Sequence, residues 1–219
     1  MKIERVSWIV AVALLLFPTV VLADVITYPM DVQGMGLHDD VRITYTPAGL
    51  WSDTVNAGQI LVNYRSQDYA GYCVDIFQHA GDGPVSEVSP TTLAHGDLAA
   101  WLFDTYAANV TTNTEAAALQ VAIWEVLYED PSNGYDVQHG TFRITSNGQA
   151  KQAAQDMLAA MPGSYMPQSG TVVLLSNSRQ DLMISSGPGA GGGPIPEPGT
   201  IALLAFGGAF TALRRRRCA

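Results

Sequence analysis

The chain has 219 residues, 47% of them hydrophobic and 14% charged, with a formal net charge of −9. That apolar content is enough for a packed core, and the acidic balance repels phosphate backbones, which argues against nucleic acid as a partner. The imbalance is sharpest over residues 24–186. Every Asp and Glu except Glu4 and Glu197 falls there, against only Arg42, Arg65, Arg143, Lys151 and Arg179, a net charge of −13.

The chain opens on a processing signal. Lys2 and Arg5 precede an apolar run from Trp8 to Phe17, followed by Pro18 and a small-residue exit, Val21-Leu22-Ala23. This is the pattern of a secretory signal peptide over residues 1–23, cut by signal peptidase before Asp24, because the run is short for a bilayer span. A single domain is expected over residues 24–186. Its first half reads as strands at VRITYT (41–46), GQILVNY (58–64) and GYCVDIF (71–77), broken by Gly, Pro and Asp turns. In the third, alternation places Tyr72, Val74 and Ile76 on one face and Cys73, Asp75 and Phe77 on the other.

The period then changes. Residues 93–110 form a helical pattern with Leu98, Trp101, Leu102 and Tyr106 toward the core. A second helix starts at Thr112, where Thr112-Asn113-Thr114-Glu115 fits a capping box, and runs to Glu129 before Pro131. A polar loop leads to a strand at TFRIT (141–145), a third helix over 148–161 and two closing strands, 170–176 and 181–185. Strands, then helices, then strands argue for an α+β fold: a β-sandwich or curved-sheet subdomain with an inserted helical subdomain.

Two residues in this plan are out of place. LQVAIWEVLYE (119–129) sets Leu119, Ala122, Ile123, Trp124, Val126 and Leu127 in one apolar arc, and Gln120 projects into it. A buried primary amide must find partners. Cys73 is the only cysteine of the domain, since Cys218 lies in the basic tail, and a lone thiol in an oxidising compartment is open to oxidation. Each has a plain reading, Gln120 as a core amide bonded to backbone or water and Cys73 as a small buried hydrophobe. One reaction accounts for both. A Cys73 thiolate attacking the Gln120 carbonyl would expel ammonia and leave an intramolecular thioester, an acyl donor that nearby aromatic and aliphatic groups keep from water.

These residues resemble the Cys-Gln thioester domains of bacterial surface proteins. The family's aromatic-cysteine strand motif stands here as Tyr72-Cys73, and its helical Gln-x-Ala-Ile-Trp motif as Gln120-Val121-Ala122-Ile123-Trp124. The resemblance runs from about Gln59 to Ser185. It implies a strand-rich and a helical subdomain, Cys73 as the thioester sulfur, Gln120 as the acyl group, and Tyr72, Ala122, Ile123 and Trp124 as motif and shielding residues. It also implies covalent attachment, used once per molecule and so not enzymatic turnover. The acceptor would be an amine or hydroxyl on a surface or matrix polymer or protein. One departure is Leu119, where family members often carry Thr. The alternative is a non-covalent matrix or binding protein with the same fold and no thioester.

No cofactor is expected. His38, His79, His95 and His139 lack zinc-ligand spacing, and one of them is left to assist proton transfer at the thioester. The loop from Glu129 to Asp136 carries oxygen ligands without the EF-hand order, which reads as a solvated turn.

The chain closes on a tripartite tail. A Gly/Pro linker (187–198) ends in Pro196-Glu197-Pro198, and an apolar stretch from Gly199 to Leu213 precedes Arg214 to Arg217. Fifteen helical residues rise about 22 Å against a hydrocarbon core of about 30 Å, marginal for a permanent anchor. The tail (199–219 with its PEP motif) resembles the PEP-CTERM sorting signal of exported proteins. That resemblance implies transient insertion into the inner membrane as a transmembrane helix, processing by an exosortase-type protease, and delivery to the cell surface or extracellular matrix of a Gram-negative-type bacterium.

Overall fold

The computed structural model describes residues 26–46, 51–167 and 170–185. The signal peptide, linker and C-terminal apolar segment inferred above lie outside these residues. Seven strands and three α-helices follow in chain order: β1 (Thr27–Tyr45), β2 (Trp51–Tyr64), β3 (Gln67–Cys73), β4 (Gly83–Val88), α1 (Gly96–Tyr106), α2 (Asn113–Tyr128), β5 (Phe142–Ile144), α3 (Gly148–Ala159), β6 (Thr171–Leu175) and β7 (Leu182–Ser185). The fold is α+β, with a mostly antiparallel sheet in the order β2-β3-β7-β6-β4-β1-β5.

The sheet curves until it meets itself. β1 pairs with β4 through Thr27–Met30 and with β2 along most of its length, so six strands close a ring. β5 adds to the far end of β1, opposite Ile43–Tyr45. Closure leaves few unpaired edges. The expected sandwich or curved sheet thus takes the curved form, and the helices enter between β4 and β6.

The first strand begins at Thr27, well before the expected start at residue 41. Two register shifts, between Val32 and Gly34 and between Met35 and His38, break its alternation, and that hides the strand from a period-2 reading. Opposite the second shift stands Gly58, with φ of 145° and no room for a Cβ beside the Leu37 carbonyl. β4, GPVSEV, carries no sequence signal because Gly83-Pro84 reads as a turn.

Helix α2 is the centre of the molecule. It packs against α1, α3, β1, β2, β3 and β5. Its residues from Ala116 to Val126 are buried without interruption, so the expected apolar arc is in fact a helix enclosed on all sides. It starts at the capping box: Thr112 accepts from the Glu115 N–H at 3.2 Å, and the Glu115 carboxylate accepts from the Thr112 N–H at 3.1 Å. α1 buries Ala99, Ala100, Leu102 and Phe103, whereas Leu98, Trp101 and Tyr106 sit half-buried at its margin, a rotation from the predicted face.

Candidate functional site

Three side chains one turn apart on α2 meet the end of β3. Residues i, i+4 and i+8 of a helix share a face, and Gln120, Trp124 and Tyr128 all reach the segment Cys73–Ile76. Gln120 grips the backbone of Cys73 at two points. Its Oε1 accepts the Cys73 N–H at 2.8 Å, and its Nε2 donates to the Cys73 carbonyl at 2.8 Å. The Trp124 indole N–H donates to Cys73 Sγ at 3.4 Å. The Tyr128 hydroxyl donates to the Val74 carbonyl at 3.1 Å and accepts the Ile76 N–H at 3.2 Å.

Tyr128 explains why β3 stops at Cys73 rather than running to Phe77 as expected. The Val74 N–H still follows the β7 register, donating to the Asp181 carbonyl at 2.9 Å; after it the ladder ends, and Asp75 Oδ1 accepts the Phe77 N–H at 2.8 Å. The chain peels away and turns its Asp75 carbonyl back to the thiol. Cys73 Sγ donates to that oxygen at 3.0 Å, and Gln180 Nε2 donates to it at 3.1 Å. The predicted alternation beyond Cys73 therefore fails, although Val74 and Ile76 are still buried.

Cys73, Gln120 and Trp124 are each no more than 3% exposed. They nevertheless form the floor of a surface cleft of about 420 Å³. Its walls come from β2 (Asp53 to Asn56), from the turn after β3 (Ile76 to Ala80) and from Gln180. Burial pushes the Cys73 thiol up to about 12, outweighing the Trp124 indole hydrogen bond that favours the thiolate, while the Asp75 and Asp181 carboxylates add to the rise. At neutral pH the sulfur carries its proton, consistent with the S–H pointing at Asp75.

The other motif residues are not in the cleft. Tyr72 is buried with its ring edge-on to Phe103 at 6.0 Å. Ala122 and Ile123 are buried in the helical core. Trp124, Ile76 and Phe77 line the cleft beside Cys73. Sequence reasoning missed Tyr128 and the Asp75 turn; the signal for Tyr128 was its position eight residues after Gln120. Of the four histidines, His79 is the one in the cleft lining.

A second polar feature lies on the far side of α2. Glu125 is fully buried, with Oε1 accepting the Asp136 N–H at 2.7 Å and Oε2 without a partner. Burial raises it to about 8, against that hydrogen bond, with the carboxylates of Glu129 and Asp136 adding to the rise. Glu129, one turn on, is held the other way. Burial would raise it, but donors from Asn133, Phe142, Thr141 and Asp130 bring it below the ordinary carboxylate range. Its oxygens are thus engaged in closing the 129–142 loop. Gly140, at φ 101°, passes so close to them that a Cβ would collide with the carboxylate. Among the described residues no three His, Cys, Asp or Glu side chains converge as a metal site.

The brace over the turn gives a direct prediction. Tyr128→Phe leaves the buried Val74 carbonyl and Ile76 N–H without that partner, at about 1–3 kcal/mol. Urea unfolding should read a loss of that size, with the m-value unchanged.

The match to known families is confined to the tail, where residues 194–217 fit the PEP-CTERM protein-sorting motif. That motif marks an exported protein of a Gram-negative-type bacterium and implies processing by an exosortase. No curated protein matches the chain by sequence. Among solved structures, the fold is similar to the N-terminal thioester domain of fibronectin-binding protein SfbI from Streptococcus pyogenes. The TM-score is 0.42 and the identity 11%, over 73% of this chain and 92% of that one. Among the described residues no helix is long and apolar enough to cross a membrane.

Proposed function

We propose that the exported domain forms a thioester between Cys73 and Gln120 and uses it once, as an acyl donor, to attach the protein covalently to a surface or matrix partner. The observation that carries this reading is the two-point grip of the Gln120 amide on the Cys73 backbone, beside the thiol and at the floor of an open cleft. In thioester formation Sγ attacks Gln120 Cδ, the C–N bond breaks, and ammonia leaves carrying the thiol proton. The Cys73 N–H already donates to the oxygen on which negative charge would develop, the role of an oxyanion donor. An arriving amine or hydroxyl then attacks the same carbon, the C–S bond breaks, and the proton lost by the nucleophile returns to sulfur.

The high thiol pKa is compatible with this role. Attack requires brief loss of the proton, which makes formation slow. Once the acyl bond exists, the site no longer holds a buried thiol, and a dry surround slows hydrolysis. The non-covalent alternative has one observation in its favour: both polar ends of Gln120 are already satisfied by backbone.

Methylamine labelling tests the proposal. The purified protein should incorporate one methylamine at the Gln120 acyl group and release a free Cys73 thiol, and Cys73→Ala or Gln120→Ala should each abolish incorporation. Labelling that survives either substitution places the chemistry elsewhere.

A further inference from the structure

The cleft above Cys73 and Gln120 has a composition that the acyl chemistry alone does not require. Its polar wall is made mostly of groups that bond to neutral hydroxyls: the side-chain amides of Asn56, Gln78 and Gln180, with the Asp53 carboxylate. Among the described residues no Lys or Arg lines it, so they offer an anionic acceptor no counter-charge there. The Gln78 side-chain carbonyl oxygen is itself buried and without a protein donor. Beside it Phe77 is 53% exposed, a large aromatic ring at the wall of a polar cleft. Its edge-to-face contacts with Tyr45 and Tyr128, at 5.7 and 5.9 Å, hold the ring in place from one side.

A rigid aromatic platform beside amide and carboxylate groups matches a ring that is apolar on its face and hydroxylated at its rim. We infer that the acceptor is a hydroxyl of a neutral sugar in a polysaccharide, joined to Gln120 as an ester, with Phe77 as the stacking platform and His79 as the base. This inference rests on the thioester reading above. An alcohol, unlike an amine, needs its proton removed as it attacks, and His79 is the imidazole in the lining. The balance is complete: the sugar oxygen bonds to the acyl carbon, the C–S bond breaks, and the hydroxyl proton passes through His79 to the departing thiolate.

The test is intact mass after incubation of the protein with maltotetraose, a neutral oligosaccharide, or with methylamine. The expected result is one maltotetraose per molecule, joined by a bond that hydroxylamine cleaves. Phe77→Ala should lower the ratio of sugar to methylamine adduct roughly tenfold, the scale of one lost aromatic contact. His79→Gln should lower the same ratio roughly a hundredfold, the scale of a lost general base. Both residues are exposed, and circular dichroism checks that the variants remain folded. Methylamine adducts with no sugar adduct would overturn the sugar assignment and leave the thioester standing. Neither adduct, on a protein of full calculated mass, would remove the thioester and the sugar assignment together. A ratio unmoved by both substitutions would overturn the roles given to Phe77 and His79.

Discussion

Cys73→Ala and Gln120→Ala should each destabilise the protein strongly and by different amounts. A thioester between these residues closes a loop with a sequence separation of 47, and a cross-link of that span contributes about 4 kcal/mol by the chain-entropy account of disulfides. Either substitution removes it. Gln120→Ala loses more, because Cys73→Ala keeps an intact Gln120 amide on the backbone N–H and carbonyl of residue 73, whereas without Gln120 both groups lack that partner and the side chain leaves a void beside Trp124. That adds about 2–4 kcal/mol. Opening the bond in the native protein with methylamine should lose the cross-link alone and track the alanine variant at Cys73. In urea unfolding, a Cys73→Ala variant as stable as the parent would mean that no cross-link exists. Equal losses in the two variants would mean that the amide grip carries no stability.

The second large effect is set by pH. Glu125 sits at about 8 in the fold, raised first by burial and then by Glu129 and Asp136, whereas an unfolded glutamate titrates near 4.3. The folded state therefore holds a proton that the unfolded state has released. The contribution of this group is fully present below the unfolded value and is lost as pH rises from there through about 8, by roughly 1.4 kcal/mol for each unit of pH. Glu125→Gln keeps an acceptor for the Asp136 N–H and has no charge to bury. Its stability should be flatter over that range, and at pH 8 it should exceed the parent by several kcal/mol, read as a higher urea midpoint. A parent whose midpoint does not fall between pH 5 and 8 would contradict the buried, neutral Glu125.

How much of this was legible in the sequence follows from the range of each interaction. The α2 capping box depends on four consecutive residues, and the helix starts where Thr112 and Glu115 place it. Cys73 and Gln120 were legible because each is out of character in its setting, and the structure brings them together across β3 and α2. The end of β3 was not legible. The chain leaves the sheet after Cys73 because Tyr128, 54 positions beyond Val74, takes the Val74 carbonyl and the Ile76 N–H. β1 was hidden by its own irregularities, since two shifts of register flip the side-chain alternation that would have marked it. The burial of Glu125 follows from α2 being enclosed by sheet, helices and the 129–142 loop together, which no local pattern encodes. The same holds for His79, chosen among four histidines by the position of one turn.

One mass separates a covalent site from a core amide. The exported protein, purified without base or added nucleophile and denatured in acid, should weigh one ammonia less than its processed sequence. That deficit should vanish after methylamine treatment, as a free Cys73 thiol appears. A native protein at its full sequence mass, with Cys73 fully alkylated once unfolded, would contradict the thioester and leave Gln120 as a hydrogen-bonded amide of the core.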